Sequence, residues 1–370
     1  MVPARFAAGA WYVSHVSRIV AVAPALPAHT YTQGEITDAL QAMITDDPGR
    51  RSVMRRLHSA SAVQTRHLAV PLERYPLPSF KESNDLFIEE GTNLAERALR
   101  DALAASCLQP EDVDYLLFTT VTGVSAPSID ADLVTRLGMR RDVKRMPSFG
   151  LGCVAGAAGI ARVHDYLAGH PNDVAVLVSV ELCSLTVQQG DASMANLVAS
   201  GLFGDGAAAV VMLGDERAAA LGMAGADVVG TRSRLYCDTE DVIGWDVGGT
   251  GFRIVLGAGV PAVIDDNFSA DAAGLLAEHA LTLADIGSWI AHPGGPKVLE
   301  AFARALDLPD AALAASWSLL ARAGNLSSAA VLHILADVMS GPPATGTHGL
   351  LFALGPGVTA ELVLLRWQAG

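Results

Sequence analysis

Cysteine is scarce in this chain. Four thiols, Cys107, Cys153, Cys183 and Cys237, are spread over 370 residues with no CxxC pair among them. That sparseness excludes a disulfide framework and the ligand spacing of a zinc module, so the thiols read as reduced, the compartment as cytoplasmic, and no metal is expected. Aromatic residues make up only 6%, too few for a Trp-rich, lectin-like surface. Charge is thin as well, at 17%, and its balance is acidic, with a net charge of −14. Such a chain does not present a general nucleic-acid surface, which needs clustered Lys and Arg against phosphates. No window reaches the roughly 18–20 uninterrupted apolar residues of a membrane span. His15 and Arg18 cut the first apolar stretch with no signal-peptide cleavage pattern after it. Residues 1–16 read as a loose extension.

What is present is small and apolar: 51% hydrophobic residues and 36 glycines, the composition of tightly packed helix–sheet layers. Buried-strand runs at Ser17–Pro24, Tyr115–Val121, Val174–Val180 and Ala207–Leu213 alternate with helical stretches. In the stretch from Ile88 to Cys107, Ala95, Ala98, Leu99 and Ala102 repeat at one-face helical spacing. The second part continues with helices over Ala262–Asn267, Ala270–His279, Pro296–Leu306 and Ser327–Val338, and strands over Ser288–Ala291, Gly349–Leu354 and Thr359–Trp367. Continuous apolar strands between helices predict an α/β protein whose sheets are covered on both faces. The two parts echo each other, because Gly152-Cys153-Val154-Ala155-Gly156 and Gly324-Asn325-Leu326-Ser327-Ser328 each deliver one polar residue to the start of a small-residue helix. Residues 17–218 and 219–370 form the expected halves.

Three residues could carry chemistry. Cys153 sits in a strand-to-helix turn between glycines, which leave room near the sulfur, and a helix N-terminus favours a thiolate. A buried structural thiol is the alternative. His292 ends an apolar strand and precedes Pro-Gly-Gly. At such a strand end a side chain reaches the crevice where α/β folds bind ligands, or is simply a hydrogen-bonded structural histidine. Asn325 is either a helix N-cap or an amide donor to an oxyanion.

Together the segments GLGCVAGAAG (150–159), GLFGDGAAAVV (201–211), WIAHPGGPKVL (289–299), GNLSSAAVLHIL (324–335) and ALGPGVTAEL (353–362) resemble the type III polyketide synthases, the chalcone synthase-like enzymes. The resemblance implies a thiolase fold of five αβαβα layers made from two duplicated halves, a homodimer, and coenzyme A thioesters as substrates with no separate cofactor. It casts Cys153 as nucleophile, with His292 and Asn325 as donors to the thioester oxygen. Ketoacyl synthases, which share fold and triad, usually read His-Gln-Ala-Asn where this chain has His292-Pro293-Gly294-Gly295.

The resemblance extends to the pocket. Phe203 and Phe252 stand where the family places two gatekeeper phenylalanines. Arg56, in the basic segment 50–56, and Lys297 match positions that contact coenzyme A. Thr122, Ala126, Cys183, Thr186 and Ser327 belong to the expected cavity wall. Ala126 is small where plant members carry Met, and Leu354 stands where Phe is common. Thr122, Ala126 and Cys183 resemble the lining of an acyl tunnel in mycobacterial-type long-chain pyrone synthases, where each buried methylene is worth about 0.8 kcal/mol. The expectation is a medium- or long-chain acyl-CoA starter, malonyl-CoA extension and an alkylpyrone or alkylresorcinol product. Tetrahydroxynaphthalene synthases, which use malonyl-CoA alone, share a cysteine at the Cys183 position and give the second expectation. A catalytically silent dimer partner is the third.

Overall fold

The computed structural model describes residues 16–369. Residues 1–15 of the expected extension lie outside the described residues.

Among the described residues, nine strands form one sheet. They are β1 (Ser17–Ala25), β2 (Tyr115–Thr120), β3 (Lys144–Phe149), β4 (Val174–Leu182), β5 (Asp205–Gly214), β6 (Gly225–Leu235), β7 (Ile286–Ala291), β8 (His348–Gly355) and β9 (Thr359–Gln368). Their order is β7-β8-β9-β6-β1-β5-β4-β2-β3. Read outward from the centre, the two wings follow one rule. β1/β5 and β5/β4 are antiparallel and β4/β2 is parallel; β6/β9 and β9/β8 are antiparallel and β8/β7 is parallel. The wings meet where β1 pairs with β6, from Ser17↔Val228 to Ile19↔Ala226. β3 extends the first wing in parallel with β2 and has no counterpart in the second.

Alternation along the strands sorts side chains into three cores. On β5, Ala207, Ala209, Val211 and Leu213 pack with Ala95, Ala98, Leu99 and Ala102 of helix α1 (Phe80–Ala105). Ala208, Val210 and Met212 point the other way, into a central core with helices α2 (Ala155–Ala168) and α4 (Ser328–Ser340). On β8, Leu351 and Ala353 enter that same central core. Leu350, Phe352 and Leu354 face helix α3 (Val260–Glu278), and the rings of Phe268, Phe302 and Phe352 meet tilted or edge-on at 4.8–5.0 Å between centroids. The layers are therefore helix, sheet wing, paired inner helices, sheet wing, helix: the αβαβα thiolase fold.

The inner helices touch backbone to backbone. A Cβ on Gly156 of α2 would lie 2.2 Å from the Ser328 carbonyl oxygen that opens α4. The contact holds the two turn-to-helix junctions, with Cys153 on one and Asn325 on the other, beside each other.

Some expectations shift. The two helices expected over 262–279 are one, because the buried stripe Ile264, Phe268, Ala272, Leu275 runs unbroken across the expected gap at residues 268–269. The edge strand β3 (KRMPSF) gives no alternating signal, being largely exposed and carrying Pro147. The hairpin Ile243–Gly248 with Gly251–Leu256 is likewise half-exposed, and it covers the site.

Candidate active site

Cys153 follows β3 through a turn that only glycine makes easily. Gly150 and Gly152 have φ of 103° and 55°, and a Cβ on Gly152 would come 2.6 Å from Cδ of Pro356. A short 3₁₀ turn, Gly152–Val154, then runs directly into α2. The half-buried sulfur donates to Oγ of Ser327 at 3.6 Å. Ser327 itself holds φ of 49°, a left-handed conformation unusual for a residue with a Cβ. Burial pushes the Cys153 thiol up to about 12; the bond to Ser327 opposes the rise and nearby Glu181 adds to it.

His292 follows β7, and its backbone N–H donates to the Phe352 carbonyl at 2.9 Å, fixing it at the end of the second wing. The ring is 2% exposed, and its Nδ1 has no partner among the described residues. Burial lowers its pKa to about 3. Burial thus disfavours charge on both the thiol and the imidazole.

Asn325 is tied into the Leu202–Gly204 segment through its backbone. Its N–H donates to Leu202 O at 2.9 Å, and its carbonyl accepts from Gly204 N–H at 3.0 Å. Its side-chain oxygen accepts from the Ser327 N–H at 2.8 Å. That bond fixes which way the amide points, leaving Nδ2 as a donor whose nearest acceptor is the Gly294 carbonyl at 3.5 Å.

These three side chains line one cleft, whose empty volume with its open mouth is about 1150 Å³. Phe203, Cys183, Thr186, Ser327 and Leu354 line it too. Three other expected pocket residues lie off this lining. Phe252 is buried outside the lining, among the rings of Phe80, Phe149 and Trp245 at 5.4–5.9 Å, and the same strand presents Ile254 to the cleft. Thr122 turns away, accepting from the Leu182 N–H at 2.9 Å and donating to Glu181 at 3.1 Å. Ala126 is exposed and lies off the cleft. Arg56 and Lys297 are exposed, also off the lining, and their side chains make no hydrogen bond or ion pair among the described residues.

Sequence reasoning missed two buried charges. Glu181 is fully buried at the end of β4 and accepts from the Val121 N–H at 3.1 Å, from Thr122 and from Ser327 Oγ at 3.3 Å, as well as from Ser328 Oγ. Burial outweighs these bonds and pushes its pKa up to about 7. A lone carboxylate closing the apolar run VAVLVSVEL was the available signal. Arg66 is 2% exposed on the strand Thr65–Leu68 and lines the cleft; nothing in its local sequence separates it from a surface arginine. Among the described residues, no cluster of three or more His, Cys, Asp or Glu could hold a metal, and no helix is long and apolar enough to cross a membrane.

Comparison with known proteins agrees with this architecture. The sequence model for the N-terminal domain of chalcone and stilbene synthases matches residues 11–216, and that for the C-terminal domain residues 227–368. The chain is 53% identical over 351 residues to 1,3,6,8-tetrahydroxynaphthalene synthase of Streptomyces peucetius subsp. caesius, covering 94% of this chain and 93% of that one. It is 30% identical to an alpha-pyrone synthesis polyketide synthase-like protein of Mycobacterium tuberculosis, covering 94% and 91%. The crystal structure of tetrahydroxynaphthalene synthase from Streptomyces coelicolor A3(2) superposes with a TM-score of 0.89 at 32% identity, over 95% of this chain and all of that one. With both domain models matched and the thiolase layers in place, the chain belongs to the chalcone and stilbene synthase family, the type III polyketide synthases, which are condensing acyltransferases.

Proposed function

We propose that this enzyme uses malonyl-CoA as both starter and extender and builds an aromatic polyketide of the tetrahydroxynaphthalene kind. The observation that carries this reading is the cleft wall. Two of the three residues on which the long-chain acyl expectation leaned, Thr122 and Ala126, are not on it. The third, Cys183, fits either expectation. Instead the wall carries the charged Arg66 and the bulky Trp245, while the polar groups of Tyr75, Ser184, Thr186 and Asn196 on it are bonded within the protein. A cation in the wall suits a chain that bears oxygens better than a hydrocarbon tail. The 53% identity to one tetrahydroxynaphthalene synthase, against 30% to the pyrone-forming relative, points the same way.

In this reading Cys153 passes its proton to His292 as the thioester arrives, and the thiolate attacks the acyl carbonyl. The imidazolium returns the proton to the departing CoA thiolate. A second malonyl-CoA then places its thioester oxygen between the His292 N–H and Asn325 Nδ2. Carbon dioxide leaves, and the two donors hold the enolate oxygen. The enolate carbon attacks the Cys153 thioester, freeing the thiolate and lengthening the chain by two carbons. Phe203 shields the reacting carbonyl from water. Arg56 and Lys297 remain available to CoA phosphates.

We infer a homodimer through β3. This edge strand leaves one row of backbone groups unpaired, and Met146, Phe149 and Leu151 are 37–52% exposed along it.

Pure enzyme given radiolabelled malonyl-CoA alone is expected to form the aromatic product, unchanged in rate by an added C12–C16 acyl-CoA. A product that appears only when acyl-CoA is supplied would overturn the reading. Cys153→Ala is expected to abolish starter labelling of the protein, and unchanged labelling would remove the thiol from its role.

A further inference from the structure

Arg66 is a buried cation that the condensation does not use. Its Nη1 donates to the Phe203 carbonyl at 2.7 Å, while Nε and Nη2 have no partner among the described residues. The nearby acid supports its charge from a distance but does not bond to it. Asp205 is fully buried and spends its oxygens on the Ala69 N–H at 2.7 Å, the Ser184 N–H at 2.8 Å and Ser184 Oγ at 2.5 Å, and it forms no ion pair with Arg66. Burial lowers Arg66 only to about 10, so it stays charged at neutral pH. The stem runs past Gly324, where a Cβ would lie 3.2 Å from Arg66 Cδ, and Arg66 lines the same cleft as Asn325.

The geometry of the unpartnered pair is informative. Nε and Nη2 lie on one side of a guanidinium and form the fork that takes both oxygens of a carboxylate. A buried cation with that fork empty costs free energy unless a ligand fills it.

We propose that Arg66 is a substrate-positioning residue that holds a second carboxylate, distal to the thioester, on the acyl group loaded onto Cys153. The cleft would thereby favour starters derived from dicarboxylic acids over neutral acyl chains of the same length. The inference rests on reading the cleft as the acyl pocket of a malonyl-using synthase, and names the group on the starter that this pocket selects.

The test is acylation of Cys153 without extender, followed by intact-protein mass spectrometry. Succinyl-CoA and glutaryl-CoA are compared with butyryl-CoA and pentanoyl-CoA. Wild type is expected to load at least one of the dicarboxylic esters. Arg66→Gln is expected to lose about tenfold or more in that rate while neutral esters stay within about threefold, and Arg66→Lys to fall between, since a single ammonium keeps the charge but not the fork. Equal losses for charged and neutral esters would show a structural role and overturn the proposal, as would a wild type that loads only neutral chains. Neutral loading in Arg66→Gln also reports that the variant is folded. Failure of wild type to make product from malonyl-CoA alone would instead sink the functional reading, and it is scored in a separate assay.

Discussion

Asn325 has its side-chain oxygen committed to the Ser327 N–H, so only its amide nitrogen is left to meet a substrate. Asn325→Asp keeps that acceptor and removes the donor. Product formation is expected to fall by about 10²–10³ in kcat, while starter labelling of Cys153 persists because labelling precedes enolate formation. Equal loss of labelling and product would place Asn325 in folding and not in enolate stabilisation. Glu181 gives a prediction of another kind. Its folded pKa of about 7 lies above the ordinary 4.5, so the unfolded chain ionises first as pH rises. Between those two values the folded state holds the extra proton, and stability is lost across the window, by roughly 3 kcal/mol as an upper bound. Glu181→Gln does not titrate, so its Tm is expected to change less between pH 4.5 and 7.5 than that of wild type. Identical pH profiles by calorimetry would contradict the burial argument.

Among the elements, the contact between α2 and α4 is the least tolerant. A methyl at Gly156 meets a backbone oxygen that cannot swing aside as a side chain can. Gly156→Ala is expected to cost about 1–3 kcal/mol in denaturant unfolding, and activity should fall with it as the two junctions move apart. The start and end of α2 were legible in the sequence, because Gly and Ala spaced for close packing follow a glycine turn. The halves were legible too, from two polar residues placed alike before small-residue helices. The triad read as a set because each member sits at a junction where strand or turn gives way to helix. Other features left no local trace. β3 is an exposed edge strand, so its apolar residues look like scattered surface. Phe252 and Ile254 stand two apart on one strand, and only the packing of Phe80, Phe149 and Trp245 decides which of them reaches the cleft. The direction of Thr122 follows from Glu181, 59 residues away in the chain and beside it in space.

At the scale of the molecule, the exposed β3 edge predicts assembly. Phe149→Glu, placed where the aromatic ring is 49% exposed, is expected to give a monomer by analytical ultracentrifugation. Turnover should drop as well, since β3 leads straight into the Cys153 turn; a dimer of unchanged affinity would move the interface elsewhere. The four thiols also divide by position. Cys107 and Cys237 are exposed, Cys183 is buried, and Cys153 sits half-covered with its proton held tightly. Peroxide must reach a sulfur to oxidise it, so one half-covered inside a cleft meets it later than those open to solvent. Oxidative ageing of the idle protein therefore begins at its two surface cysteines, and the nucleophile outlasts them.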